Sequence, residues 1–456
     1  MGTGGDMGAQ LISSTRRRVV VGLGATGLSV ARFLARRGES FCVVDSRDAP
    51  PQLGELQREL PQVPLLLGGW HEDVLATAGE LVVSPGLSPQ EPALQRAVAA
   101  GARLCGDIDL FLDAARAKVV GITGTNAKST VTALVGRMAV AAGLDAGVGG
   151  NLGPPALDLL AAGRELYVLE LSSFQLERAG SPGLDVAAVL NLSPDHLDRH
   201  GSMPRYHQAK HRIYADCRCA VVNAADPLTI PPAAAGRRQL RWRRGEPDLD
   251  GFGLRREGAR EYLVEGFELL LPVDELPMPG RHNVDNALAA LAIGRAAGLP
   301  TAAMLAALRD FRGLPHRCVT VAEAAGVRWV DDSKATNVGA ALAAINGLGE
   351  RGRLIVIAGG RDKGGDFAPL RPALSRACDL LLLIGEAAPR IAAAVGDACA
   401  CEQVETLAAA VRAAAARATA GTTVLLAPAC ASFDQFRDYR DRGEQFAALV
   451  RRQGAA

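Results

Sequence analysis

The apolar run Lys118-Val119-Val120-Gly121-Ile122 leads directly into Thr123-Gly124-Thr125-Asn126-Ala127-Lys128-Ser129-Thr130, and that into the helix-like Val131-Thr132-Ala133-Leu134-Val135. Strand, small-residue loop and helix start, in that order, form the repeating unit of parallel α/β sheets. The loop adds a chemical constraint. Its backbone N–H groups and the positive helix end would face one point, Lys128 could span the outer phosphates of a nucleoside triphosphate, and a hydroxyl could hold Mg²⁺. ATP or GTP is the cofactor this chemistry suits. The spacing departs from GxxxxGK[ST], because Ile122 and Ala127 stand at its two glycine positions. An ordinary turn with a solvent-facing lysine stays open on this segment alone.

A chain of 456 residues exceeds what one hydrophobic core supports, so two or three domains are expected. With 48% hydrophobic and 4% aromatic residues it is globular rather than disordered or fibrous. Fifty Lys+Arg against 49 Asp+Glu leave a formal charge of +1, which gives no global attraction to nucleic acid or anionic lipid; phosphate recognition must be local. The nine cysteines lack CxxC pairing, and the one-residue gaps of Cys217/Cys219 and Cys399/Cys401 suit neither a disulfide staple nor a zinc knuckle. Reduced thiols in the cytoplasm are expected. The Gly-rich stretch to Arg18 has no apolar h-region and reads as a disordered extension over 1–17. No stretch approaches a membrane span, so neither membrane nor nucleic acid is an expected partner.

Strand patterns alternate with helical ones in three blocks, 18–106, 107–313 and 314–456. In the first, Val19-Val20-Val21, the turn Gly22-Leu23-Gly24-Ala25-Thr26-Gly27, a helix over Leu28 to Arg37 and the strand Phe41 to Asp45 give GxGxxG with an acid 18 residues after its last glycine. That is close to the dinucleotide fingerprint, in which the acid binds a ribose. The same geometry seats any diphosphate, with Thr26 adding a hydroxyl, and a turn using glycine only for close packing is also open.

In the second block Leu166 to Glu170 is a buried-type strand ending in a carboxylate, placed to reach Mg²⁺ directly or through water. Val186 to Leu190 is another, followed by Asn191-Leu192-Ser193-Pro194-Asp195-His196-Leu197-Asp198-Arg199-His200. His196 falls at a strand's carboxyl end beside Glu170 and Lys128, where ligands bind in open sheets; His200 has no assignment. Tyr206 to Tyr214 reads as a helix on which Lys210 alone would pass for a surface lysine. Residues 237–268 read as a charged surface excursion carrying a hairpin. Gly280 to Ala290 opens a helix whose Asn283 and Asn286 point one way, with helix capping open for one of them. In the third block Trp329 to Lys334 closes a strand; Leu354 to Ala358, Leu380 to Ile384 and Thr423 to Leu426 are further strands, each releasing a polar loop onto one rim.

GTNAKST, LELSSFQL, NLSPDHLDRH, the lysine of YHQAKHRIY, GRHNVDNALAA, LPHR, DDSKATN, GGRDKGGDF and APACASFDQF occur in this order. From Val19 to Phe446 the chain resembles the Mur ligase family, and DSKATN with PACASFDQF resembles its glutamate-adding member. The resemblance implies an α/β protein of three domains: an N-terminal Rossmann-like nucleotide-sugar domain, a central P-loop-type ATPase domain with a parallel sheet, and a C-terminal Rossmann-like domain. It implies a cytoplasmic, monomeric ligase of peptidoglycan precursor synthesis that uses ATP to activate the carboxylate of UDP-MurNAc-L-Ala for attack by D-glutamate. A different acceptor amino acid, as in other Mur-type or folylpolyglutamate-type ligases, is the alternative. A nicotinamide-dependent dehydrogenase would explain only the first block.

Residue by residue, the resemblance implies that Gly124, Thr125, Asn126, Ala127, Lys128, Ser129 and Thr130 cradle the phosphates, with Asn283, Asn286, Arg317 and Asp332 completing the ATP site. Ser129 and Glu170 would hold one Mg²⁺; His196 and a carbamylated Lys210, formed with CO₂, would hold a second. Lys128, His196 and Lys210 would be the catalytic set. Thr26, Ser46 and Arg47 would take the UDP moiety, with Asn151 near the phosphates. Lys334, Thr336, Lys363, Ser432 and Tyr439 would hold glutamate. Two departures stand out. Ala127 replaces the family's usual glycine, harmless at negative φ and strained at positive φ, and Tyr439 adds a hydroxyl at the glutamate end.

Overall fold

Val19, Val20 and Val21 are fully buried because both faces of their sheet are covered, the condition under which strands read as unbroken apolar runs. They belong to the first of three sheets in the computed structural model, which describes residues 17–234, 236–278, 280–349 and 352–454. The expected disordered extension lies, except for residue 17, outside the described residues. The first sheet is fully parallel and runs Leu65–Leu67, Phe41–Asp45, Arg18–Val21, Glu80–Val83, Arg103–Cys105. Its first helix, Ala25–Arg36, begins inside the glycine motif. A Cβ on Gly27 would lie 1.9 Å from the Gly22 carbonyl oxygen, so this glycine is what lets the helix pack onto the strand.

The central sheet has nine strands, in the order Glu268–Pro272, Arg260–Glu265, Phe252–Glu257, Arg238–Trp242, Cys219–Asn223, Val186–Val189, Lys118–Thr123, Leu166–Glu170, Ala146–Gly150. Every pairing is parallel except those joining the last three strands in sequence. The segment expected to be a surface excursion therefore extends the sheet, and the hairpin within it is Phe252–Glu257 with Arg260–Glu265. Leu240, Trp242, Phe252, Leu254 and Leu263 are buried on one face while arginines and glutamates cover the other, and that charged face hides the strand pattern. The helices Lys128–Ala141, Arg281–Ala297 and Thr301–Asp310 pack together against this sheet.

The third sheet runs Val319–Ala324, Val327–Asp331, Thr423–Leu426, Leu354–Gly359, Cys378–Ile384, Ala400–Glu405, parallel except for the first pair. The two outer strands escape the sequence pattern because edge positions are half exposed and mixed in polarity. All nine cysteines are free thiols. Among the described residues no helix is long and apolar enough to cross a membrane.

Candidate active site

The phosphate loop turns on two positive-φ residues, Gly124 at 155° and Ala127 at 67°. Ala127 is the N-cap of the helix Lys128–Ala141 and lies in the left-handed region, the strained outcome for a residue with a Cβ, at a cost of about 1–2 kcal/mol. Asn191 holds the loop in place: its backbone oxygen accepts from Thr125 N at 3.0 Å and its Oδ1 from Asn126 N at 2.8 Å. The Lys128 ammonium turns back onto the carbonyls of Gly124, at 2.9 Å, and Thr125, at 2.8 Å. Ser129 Oγ accepts from Arg317 Nη2 at 2.7 Å, which joins the third domain to the loop.

Glu170, at the carboxyl end of its strand, is 2% exposed. Its Oε1 accepts from Asn151 Nδ2 at 2.5 Å, while Oε2 is buried with no hydrogen-bond partner. A buried carboxylate oxygen with no donor is costly unless a cation meets it. Among the described residues no group of three or more His, Cys, Asp or Glu side chains could hold a metal alone, so hydroxyls or modified groups would have to contribute.

Lys210 is buried on the helix Met203–His211, which Pro204 and the Ser202 cap start. Its ammonium donates to Gly124 O at 2.8 Å and Thr123 Oγ1 at 3.3 Å and lies 4.8 Å from the centre of the Tyr206 ring. Burial, then repulsion from Lys128, pushes its proton affinity well below that of an ordinary lysine. His196 sits at φ 53°, the edge of its ring facing Phe174 at 5.0 Å between centroids. Burial pushes its imidazole down to about 4, against the opposing charge of Asp195, so it is neutral and able to ligate at physiological pH. His200 is structural: it is buried, bonded to Ser173 Oγ at 3.0 Å and stacked on Phe174.

Sequence reasoning quoted Asp195 without assigning it. Its two oxygens accept from Lys363 Nζ and Asn337 Nδ2, both at 3.0 Å, and Asn337 Nδ2 also reaches Asn126 Oδ1 at 3.0 Å. Asp195 thus joins the central and third domains. Arg442 was missed altogether. Fully buried, it donates to Ser333 Oγ at 3.0 Å, Ser333 O at 2.8 Å and Cys430 O at 3.3 Å, fixing the DDSKATN loop against the PACASFDQF loop. Only its position three residues after Tyr439 hinted at it.

Lys334 lies 3.8 Å from the centre of the Tyr439 ring. Burial, with repulsion from Arg317 and Lys128, lowers its ammonium to about 8. The Tyr439 hydroxyl accepts from Arg440 Nε at 3.2 Å, which gives the extra oxygen a partner. Asp332 is pushed up to about 7 by burial, with Arg317 opposing.

Three cavities bring these groups together. One of about 330 Å³ is lined by Thr125 to Ser129, Asn151, Glu170, His196, Lys210, Arg317, Lys334, Thr336, Lys363, Ser432 and Tyr439. A second, of about 360 Å³, holds Asn283, Asn286, Asp332 and Thr130, and shares Asn126, Ala127, Arg317 and Lys334 with the first. Asn286 Nδ2 donates to Asn283 Oδ1 at 3.0 Å, and the helix cap there is Gly280, so neither asparagine caps. The third, of about 530 Å³, contains Thr26, Ser46 and Arg47 and meets the first at Asn151. Gly124 lines none of the three; its carbonyl serves the two lysines. Asp45 lies outside them too. Its carboxylate accepts from Leu23 N, Arg47 N and the Arg47 guanidinium, at 2.7 to 3.0 Å, and is fully used inside the turn rather than offered to a ribose.

The comparisons agree across the chain. The profile "Mur ligase MurD-like, N-terminal domain" matches residues 16–106, "Mur ligase middle domain" 122–294 and "Mur ligase, glutamate ligase domain" 316–430. The UDP-N-acetylmuramoylalanine--D-glutamate ligase of Pseudomonas syringae pv. syringae is 53% identical over 442 residues, 96% of this chain and 99% of that protein. That of Pseudomonas aeruginosa gives the same identity and coverage. Among solved structures, UDP-N-acetylmuramate-alanine ligase MurC of Thermotoga maritima superposes with a TM-score of 0.60 at 19% identity, covering 96% of this chain and 100% of that one. The MurF ligase of Thermotoga maritima in complex with ADP gives 0.60 at 17%, covering 97% and 98%. At these identities the superpositions speak for the fold.

Proposed function

The chain belongs to the Mur ligase family, and from that premise we propose that it is an ATP-dependent ligase joining D-glutamate to UDP-N-acetylmuramoyl-L-alanine in peptidoglycan precursor synthesis. One observation carries this reading. Three cavities stand in a row, the outer two each sharing wall residues with the middle one. A reaction that brings a nucleotide, a nucleotide-sugar acid and an amino acid to one point needs that arrangement.

We assign 18–106 to the UDP-sugar, 107–313 to ATP and 314–456 to glutamate. Thr26, Ser46 and Arg47 hold the UDP end, and Asn283, Asn286 and Asp332 the nucleoside of ATP. A carboxylate resists amide formation because its leaving group would be hydroxide. The alanyl carboxylate therefore attacks the γ-phosphorus of ATP, ADP departs, and an acyl phosphate remains. The glutamate amine adds to the acyl carbon, and the tetrahedral intermediate expels phosphate, leaving the amide. Lys128 and Arg317 place positive charge where the transferring phosphoryl group develops negative charge. Lys334, Lys363, Thr336, Ser432 and Tyr439 offer the cations and hydroxyls that two carboxylates require.

The oxygen donors fit Mg²⁺: the Glu170 oxygen without a donor and the Ser129 hydroxyl would be hard ligands for one ion, and a carbamate on Lys210 would be one for a second, with neutral His196 as a borderline nitrogen donor. Bound there, the ions would neutralise phosphate charge. The depressed proton affinity of Lys210 favours the free amine that CO₂ must meet. We assign the protein to the cytoplasm as a monomer, as its family resemblance implies.

The test is phosphate release from ATP with UDP-MurNAc-L-Ala, Mg²⁺ and each glutamate enantiomer in turn. Release and product with the D form are expected. Turnover with another acceptor amino acid, and none with D-glutamate, would replace the proposed acceptor.

A further inference from the structure

Arg199 has no place in the chemistry above, yet its guanidinium crosses the seam between the first and central domains. Nη2 donates to the backbone oxygen of Leu87 at 2.6 Å and to Glu177 Oε2 at 3.1 Å, and Nη1 reaches the Gly86 carbonyl at 3.5 Å. The guanidinium carbon lies 5.1 Å from the centre of the Phe174 ring, and Nε is buried with no partner. The group is thus aimed by its two terminal nitrogens, both toward the Gly86-Leu87 turn.

That turn lines one cavity, and Arg199 backs onto residues that line another. Gly86 and Leu87 line the cavity of Thr26, Ser46 and Arg47. Arg199 lies on the four-residue helix Leu197–His200, whose N-cap is His196, and Phe174 beneath its guanidinium also contacts His196. Both His196 and Phe174 line the middle cavity. A second bond across the same seam, Ser29 Oγ to Asp158 Oδ1 at 2.7 Å, is made by a residue whose own N–H is bonded to Pro155 O at 3.0 Å, and Pro155 lines the same cavity. Two clasps thus cross the seam next to this cavity's lining, and one of them is built onto the helix capped by His196.

We propose that Arg199 is a positioning residue that sets the distance between the diphosphate-sugar site and the reacting carboxylate. The inference rests on the function proposed above, in which one substrate occupies both cavities. A ligand anchored in one domain and reacting in the next is aligned only if the two domains keep their spacing, and sub-ångström misplacement is felt in the rate. Backbone carbonyls are suitable reference points because they report the path of the turn rather than its side chains.

The experiment compares the wild-type protein, Arg199→Met and Arg199→Lys in steady-state assays with each substrate varied in turn. Arg199→Met keeps an apolar stem over Phe174 and removes the donors. It should raise KM for UDP-MurNAc-L-Ala about tenfold, the size of a lost charge-assisted hydrogen bond, and lower kcat, with KM for ATP and D-glutamate unchanged within about twofold. Arg199→Lys, which can still reach one carbonyl, should recover part of the loss. An unchanged KM for UDP-MurNAc-L-Ala, an equal rise in all three KM values, or loss of a cooperative melt in both variants would overturn the inference, the last by assigning Arg199 to folding alone. Absence of wild-type turnover would instead refute the proposed function, so the two failures are distinct.

Discussion

Lys128 and Lys210 donate to the same acceptor, the carbonyl oxygen of Gly124, at 2.9 and 2.8 Å. Two ammonium groups within about 6 Å of each other in a buried site repel strongly, and the more deeply buried of them, Lys210, carries the greater penalty. Removing its charge relieves both the burial and the repulsion, and reversing it by carbamylation turns the repulsion from Lys128 into attraction. Lys210→Ala should cut turnover at least about a hundredfold and regain part of it with a short carboxylate in solution. Full activity without rescue would rule out the carbamate.

Lys128→Ala should abolish ATP-driven phosphate release, since of the neighbouring cations Arg317 is committed to Ser129 Oγ and Lys210 to the Gly124 carbonyl. Wild-type release by this variant, measured with all substrates present, would refute the phosphate-loop assignment.

At Ala127 the left-handed backbone makes glycine the better residue. Ala127→Gly should stabilise the protein by about 1 kcal/mol, part of the gain being offset by the freedom glycine adds to the unfolded chain. A denaturant melt with a lower midpoint for the variant would contradict the strain.

Glu170→Gln tests the unpaired oxygen. The half-saturating Mg²⁺ concentration should rise about tenfold or more, while in EDTA the variant should melt no lower than the wild type, because the buried carboxylate oxygen that lacks a donor has been replaced. An unchanged Mg²⁺ requirement would take Glu170 out of the metal site.

Lys334 titrates near 8, lowered chiefly by burial, so it is charged at pH 7 and loses its proton as the pH rises. An ammonium that anchors a carboxylate binds it below that value and releases it above. Affinity for D-glutamate, measured calorimetrically, should therefore fall roughly five- to tenfold between pH 7 and 9, and Lys334→Met should flatten that dependence. Equal dependence in both proteins would place the titrating group elsewhere.

What the sequence disclosed follows a physical division. Strands buried on both faces, such as Arg18–Val21 and Leu166–Glu170, announce themselves as apolar runs, and the strand-loop-helix at Thr123 to Thr130 needs only local information. Resemblance supplied Lys210, whose burial no local pattern betrays. Hidden from both were relationships between distant segments: Asp195 with Lys363 and Asn337 across domains, and Arg442 between two loops of the third domain. Their partners lie more than a hundred residues away, apart from the Cys430 contact of Arg442. The strands Arg238–Trp242 and Arg260–Glu265 were concealed by charge on their solvent face, and Asp45 carried the fingerprint of a ribose ligand although its own turn consumes it.

On the proposed assignment of Lys363 to glutamate, its pairing with Asp195 makes recognition a contest. An incoming anion at Lys363 does not fill a waiting charge; it must displace a carboxylate that the protein already supplies, and the gain from that swap is small. A monocarboxylic amino acid has only one such swap to offer, whereas a dicarboxylic one can add a second anchor at Lys334. On that assignment the internal rival would act as a threshold against the abundant simpler amino acids before any chemistry begins.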